Sequence, residues 1–193
     1  MHGDGTKPAI TTADPPARLF ELTRVLALKG RAPTGIDRVC LAYLRAIVEA
    51  DTPAFGLART KLGYVLVDKA AMRILLARLE GREPWGESDW ISRLTRDADN
   101  SRRETEADLR RLSLARCSPS LLGHMLRRRL PVGTVYINVD HANFPERVLK
   151  AVKSVPGGKV VIFLHDTIPL DLPEFEMAKP IIEFANMFER ARV

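Results

Sequence analysis

Cysteine is scarce in this chain. Only Cys40 and Cys117 occur among 193 residues, and no CxxC pair is present. That excludes a disulfide framework and a zinc site built on paired cysteines. Long apolar runs are missing too. Val160-Val161-Ile162-Phe163-Leu164 is among the longest, far short of the ~18 residues a membrane-spanning helix needs. The opening Met1-His2-Gly3-Asp4-Gly5 has no basic stretch leading into an apolar one, so no secretory signal is expected. Aromatics make up 6% of the chain and do not interleave with basic runs, which argues against a nucleic-acid binder. There is no G-x-G-x-x-G, so a Rossmann domain for a nicotinamide cofactor is not indicated. These absences describe a soluble protein of a reducing, cytoplasmic compartment.

What is present is globular in proportion. Hydrophobic residues make 46% and charged residues 28% of the chain, which excludes wholesale disorder. The length suits one domain or slightly more and allows burial of roughly 70% of the unfolded surface. Lys plus Arg is 30 against 24 Asp plus Glu, a net charge of +6. Twenty-two of the basic residues are Arg, spread along the sequence. Such a surplus suits anionic partners such as phosphorylated sugars or lipid head groups, although a solvated surface explains it as well.

Residues 1–16 carry Gly, Thr, Asp and three prolines and read as a loose lead-in to a domain over 17–193. Residues 17–28 are a candidate first strand running into a loop. Gly30, Pro33 and Gly35 then break the chain. Ile36, Val39, Cys40, Tyr43, Leu44 and Ile47 recur with helical spacing. Thr34 or Gly35 is a natural N-cap for that helix, and Asp37 suits its positive end. Cys40 lies on the apolar stripe and reads as core. Residues 55–59 and 63–67 look like short strands, and Asp68 caps a helix carrying Ala71, Ile74, Leu75 and Leu79. Residues 88–106 are polar and read as a surface excursion, and 109–130 as helical with a break at Ser118-Pro119. Residues 134–139 form a strand, followed by a helix to Lys153, a Pro156-Gly157-Gly158 turn, and a continuous apolar strand over 159–164 of the fully buried kind. A final helical pattern fills 174–193. Strand, helix, turn and strand make a βαβ unit with parallel neighbours. The expected class is α/β, a Rossmann-like, mostly parallel open sheet with helices on both faces.

Function in such sheets sits at the carboxyl ends of the strands, which selects three loops. The first is Arg31-Ala32-Pro33-Thr34-Gly35-Ile36-Asp37-Arg38. A glycine here admits close approach to backbone, the helix amides favour a phosphate, and Arg38 can add a bidentate contact. A plain turn needing glycine for its geometry is the alternative. The second loop offers Asp140, His141 and Asn143, suited to sugar hydroxyls or proton transfer, or to satisfying local backbone. The third begins His165-Asp166-Thr167-Ile168-Pro169-Leu170 directly after a buried strand. An imidazole and a carboxylate placed there must be paired or face a cleft. A helical metal phosphohydrolase is not supported, because this pair ends a strand and His2, His124 and His141 have no matching spacing.

Two further features read as bland. Asp97-Ala98-Asp99 matches the bare D-x-D of metal-dependent nucleotide-sugar enzymes, but no apolar strand precedes it to hold it rigid. Arg110, Arg111, Arg116 and Arg127-Arg128-Arg129 beside Leu112, Leu121, Leu122, Met125 and Leu126 suit a basic amphipathic surface for anionic lipid. A solvated helix face covering the sheet is the simpler reading.

Taken together, the loops resemble a known family. Thr34-Gly35-Ile36-Asp37-Arg38-Val39 looks like the glycine loop of the bacterial retaining glycosyltransferases of family 4, which have the GT-B fold. His165-Asp166-Thr167-Ile168-Pro169-Leu170 followed by Pro173-Glu174-Phe175 looks like their H-D-x-I-P-L…P-E-[FY] stretch, and Leu22-Thr23-Arg24 also fits. The resemblance implies two Rossmann-like domains around a cleft. The N-terminal one would shape the acceptor side and the C-terminal one would bind the nucleotide sugar. It implies that Thr34, Gly35, Ile36 and Arg38 approach the donor diphosphate. It places His165 by the transferred sugar, with Asp166 positioning it, and puts Asp140, His141 and Asn143 on the acceptor side. The implied substrates are a nucleotide sugar and a glycan or lipid-linked acceptor, with no metal and no other cofactor.

Family members are about twice as long and carry two glutamates with seven residues between them. No pair here has that spacing; Glu176 and Glu183 come closest, with six between. The chain thus looks like the acceptor half of a GT-B fold, whether as a truncation, a fragment or one half of a split enzyme. It is expected to be inactive without a donor domain or partner chain, with contact at the inner face of the membrane as a further expectation. A non-catalytic anion-binding module or partner subunit is the alternative.

Overall fold

The computed structural model describes residues 15–91, 100–140 and 144–165. Six strands form one sheet: β1 (Arg18–Glu21), β2 (Ala54–Thr60), β3 (Gly63–Asp68), β4 (Ala115–Cys117), β5 (Val135–Asn138) and β6 (Lys159–Ile162). Their spatial order is β4-β3-β2-β1-β5-β6. β2, β1, β5 and β6 run parallel, while β3 and β4 pair antiparallel at one side. The helices are α1 (Thr23–Leu26), α2 (Gly35–Glu49), α3 (Lys69–Leu79), α4 (Asn100–Arg111), α5 (Leu122–Arg129) and α6 (Glu146–Lys153). The α/β class with a mostly parallel open sheet is thereby established.

Alternation along the strands sends side chains to two cores. Phe20 and Leu22 of the first strand segment, with Val65, Val67 and Ala58, meet α1, α2, α3 and Leu109 of α4 on one face. Leu19, Leu57, Leu66 and Tyr136 meet α5 and α6 on the other. Burying a Leu or Ile side chain completely contributes about 2 kcal/mol, and Leu19, Leu22, Leu44, Leu57 and Leu66 are all wholly buried.

Several expected elements differ from those observed. The first strand is only four residues long, and the apolar run past it turns into α1, which puts Val25 and Leu26 into the same core as Leu22. Residues 109–130 are not helical on both sides of the Ser118-Pro119 break. α4 ends at Arg111, β4 follows, and α5 begins at Leu122. The arginines of that stretch therefore stand on three elements, and Arg110 is occupied by Asp89 at 2.6 Å. The polar stretch 88–106, expected at the surface, runs into α4, where Thr105 and Glu106 are buried, as is Asp108 just beyond it. Asp108 is matched there by Arg78 and Arg111, each at 2.7 Å, a pairing that hydrophobic periodicity does not reveal. Among the described residues β6 is an edge strand rather than a buried one, with Val161 52% exposed. The lead-in, the Asp97-Ala98-Asp99 turn and the final helical pattern lie outside the described residues, apart from the exposed Pro15 and Pro16.

The chain leaves β1 through α1 and α2 to reach β2 on one side. It later enters β5 on the other side of β1 and reaches β6 through α6. The carboxyl ends of β1 and β5 are thus a topological switch point, the place where open parallel sheets bind ligands.

Candidate functional site

The N-terminus of α2 opens at this rim. Thr34 is its N-cap, and Thr34 and Asp37 form a reciprocal capping box. The Asp37 carboxylate is fully buried. It accepts from the Thr34 amide and hydroxyl at 2.8 Å each, from Arg24 Nε at 2.7 Å and from Arg31 at 3.0 and 3.3 Å. Burial works against its ionisation, but the Thr34 hydrogen bonds and the Arg24 guanidinium outweigh it and hold the carboxyl well below the usual carboxylate range. Arg24 and Arg31 share this single carboxylate, so the helix end keeps surplus positive charge on top of its dipole.

The amides of Gly35 and Ile36 carry no hydrogen bond among the described residues. Gly35 is exposed, does not adopt positive φ, and a Cβ built on it would meet nothing within 4 Å among the described residues. The fold itself therefore does not require glycine there, against the plain-turn alternative.

On the opposite face of the sheet, at the same end, lies a buried polar cluster. Glu21 closes β1 and accepts from the Thr23 amide at 3.0 Å, from the Thr23 hydroxyl and from the Tyr136 hydroxyl at 2.8 Å. Asn138 reaches the Tyr136 hydroxyl at 3.5 Å and accepts the Asp140 amide at 3.0 Å. Burial raises the Glu21 carboxyl to about 7 despite the Thr23 hydrogen bonds, and the Asp140 charge adds to the rise. Burial and the Glu21 charge together keep the Tyr136 phenol well above its ordinary value.

His165 follows β6. Its Nε2 lies 2.7 Å from the Val139 carbonyl and is the donor of that hydrogen bond, because a carbonyl only accepts. Phe163 packs against the imidazole at 5.0 Å between centroids and against Tyr43 of α2 at 6.1 Å. Cys40 of α2 is buried, and desolvation together with the Asp140 charge pushes its thiol up to about 11. It is core and not a nucleophile.

Thr34, Gly35, Ile36 and Arg38 thus gather at one helix end. Asp140 and His165 follow parallel neighbouring strands at the same sheet edge. Asp140, Arg24 and Asp37 all act electrostatically on Cys40, and Phe163, two residues before His165, touches α2. His141, Asn143 and Asp166 lie outside the described residues. Glu21, Tyr136 and Asn138 were not anticipated. The available signal was a carboxylate inside the apolar run Leu19-Phe20-Glu21-Leu22, which burial forces to find partners. Among the described residues no group of three or more His, Cys, Asp or Glu could hold a metal ion, and no helix is long and apolar enough to cross a membrane. No family model, curated protein or solved structure matches the chain.

Proposed function

We propose that this chain is the acceptor-side half of a glycosyltransferase that moves a sugar from a nucleoside-diphosphate donor to a glycan or lipid-linked acceptor. The observation that carries the reading is the end of α2. Two amides without a partner among the described residues, Gly35 and Ile36, lie at the helix end beside two arginines, Arg24 and Arg31, that share one carboxylate. Such donors stabilise the charge that develops on a departing diphosphate as the bond from the sugar carbon to its oxygen breaks. The incoming acceptor hydroxyl forms the new bond and passes its proton to the departing diphosphate oxygen. His165, held by the Val139 carbonyl, orients the transferred sugar. Asp166 steadies its loop, and Asp140, His141 and Asn143 border the acceptor. No metal is asked for, since amides and guanidinium groups meet the diphosphate charge. A donor-side domain or chain completes the cleft. The nucleotide-sugar substrate places the reaction in the cytoplasm, with a lipid-linked acceptor bringing it to the inner face of the membrane.

A non-catalytic subunit completed by a partner is the second reading. It is favoured by the apolar strip of Tyr43, Val161 and Phe163, which are 39%, 52% and 41% exposed.

Calorimetric titration with inorganic pyrophosphate tests the proposal. Pyrophosphate binds, and Gly35→Val weakens binding by about tenfold or more while leaving the unfolding midpoint unchanged. No binding, or equal binding by Gly35→Val, would reject the role of this helix end.

A further inference from the structure

The surplus positive charge of the chain belongs to one stretch. Residues 115–159 carry eight Lys and Arg against two Asp and Glu, and the rest of the chain carries 22 of each. Of the two acids Asp140 is buried, which leaves Glu146 exposed. The helices of this stretch, α5 and α6, cover the sheet face of Leu19, Leu57 and Tyr136. They display Arg127, Arg128, Arg129, Arg147, Lys150 and Lys153 at exposed positions. Lys150 pairs with Glu146 at 2.6 Å, and the other five have no ion pair among the described residues. A field of one sign this concentrated attracts polyanions.

Between the two helices runs a groove of about 580 Å3. A Cβ on Gly123 would lie 3.7 Å from the Ala151 Cα and 3.8 Å from an Arg127 guanidinium nitrogen. Gly123 and Ala151 are thus its floor, with the Arg127 guanidinium over it from α5 and Lys150 on the α6 wall. Arg147, in the first turn of α6, faces the Tyr64 hydroxyl, and Ser120 adds a hydroxyl of its own. The groove begins at Pro145 and Glu146, where the chain has left the carboxyl end of β5, and reaches Ser154 just past α6. One end therefore opens at the rim, and the eight residues of α6 carry the other about 12 Å away.

The charge calls for an anionic occupant, and the helices do not suit a membrane. An interfacial helix needs an apolar side to insert into lipid. Here those sides are spent on the core: Leu122, Met125 and Leu126 of α5 and Val148, Leu149 and Val152 of α6 are buried, and neither helix exposes a large apolar side chain. Leu121 and Val132 stand out singly on either side of α5. An open polar groove walled by a guanidinium and an ammonium group suits a chain of hydroxyls and carboxylates.

We infer that the acceptor is an anionic glycan, a saccharide bearing uronate carboxylates, that lies between α5 and α6 with Arg127 and Lys150 on its carboxylates and its growing end at the rim. Calling the glycan an acceptor rests on the glycosyl-transfer reading; its seat in the groove is measured separately.

A polyuronate oligosaccharide, neutral dextran of equal length, anionic phospholipid vesicles and duplex DNA are titrated into the full chain by calorimetry at about 0.15 M salt, and the Gly123 and Ala151 amide resonances locate the oligosaccharide. The polyuronate moves both resonances and binds about tenfold or more tightly than the other three. Arg127→Gln with Lys150→Gln weakens it about tenfold or more at an unchanged unfolding midpoint. Arg45→Gln with Arg82→Gln, which takes the same charge from the α2 and α3 side of the sheet, leaves it unchanged. Polyuronate binding no tighter than dextran, tighter binding of vesicles or DNA, or equal losses from the two double variants would overturn the groove. Failure of pyrophosphate to bind while the polyuronate binds as stated would reject the donor end and leave the groove a glycan site; the converse would reject the groove alone.

Discussion

Glu21 holds its proton to about 7, against 4.5 for the same group in an unfolded chain. Between those values the folded state binds a proton that the unfolded state does not. The Glu21 contribution to stability is therefore fully present below 4.5 and is lost as pH rises through about 7. At 1.36 kcal/mol per pH unit this amounts to roughly 3 kcal/mol. Glu21→Gln cannot ionise and keeps an acceptor for Thr23. Urea denaturation at pH 5 and pH 8 should show a smaller loss of stability for Glu21→Gln than for the wild type; equal losses would mean that Glu21 is ionised throughout. At this scale the sequence was only partly informative. Thr34 and Asp37 were legible because capping uses local residues at fixed spacing. The Glu21, Tyr136 and Asn138 cluster was not, because 115 positions separate Glu21 from Tyr136 and only the sheet register brings them together.

The hairpin of β2 and β3 turns through Lys61 and Leu62 and closes with Thr60 opposite Gly63. Gly63 has φ of +131°, and a Cβ there would collide with the Cys117 carbonyl of β4. Glycine here is required both by backbone conformation and by the close approach of a third strand. Gly63→Ala should destabilise the chain by about 2 kcal/mol or more in chemical denaturation. A change within ~0.5 kcal/mol, the range of an ordinary surface substitution, would show that β4 is not seated as described. Elements with clean periodicity or a capping residue were readable from the sequence: α2, α3 with Asp68 accepting the Ala71 amide at 2.8 Å, and the β5-α6-β6 unit. Those that failed were decided by partners. β4 is three residues long with no pattern of its own and exists because β3 offers an edge. α4 hides buried carboxylates behind arginines. β6 has the sequence of a central strand but the position of an edge.

At the scale of the molecule, the order β2-β1-β5-β6 gives the parallel strands a common direction, so the loops after β1, β5 and β6 open at one rim. That convergence was legible because a βαβ unit implies parallel strands and parallel strands share a carboxyl edge. The strand order itself was not, since nothing local specifies which side of β1 receives β5. The central claim is that the Gly35 end of α2 and the imidazole of His165 serve one ligand at this rim. A single magnetic-resonance titration with a nucleotide sugar, following the Gly35 amide and the His165 ring together, tests it most directly. One site predicts that both signals move along the same saturation curve, and that His165→Ala leaves the folded spectrum intact while weakening the response at Gly35. Movement at only one of them, or two curves with different midpoints, would contradict a shared site.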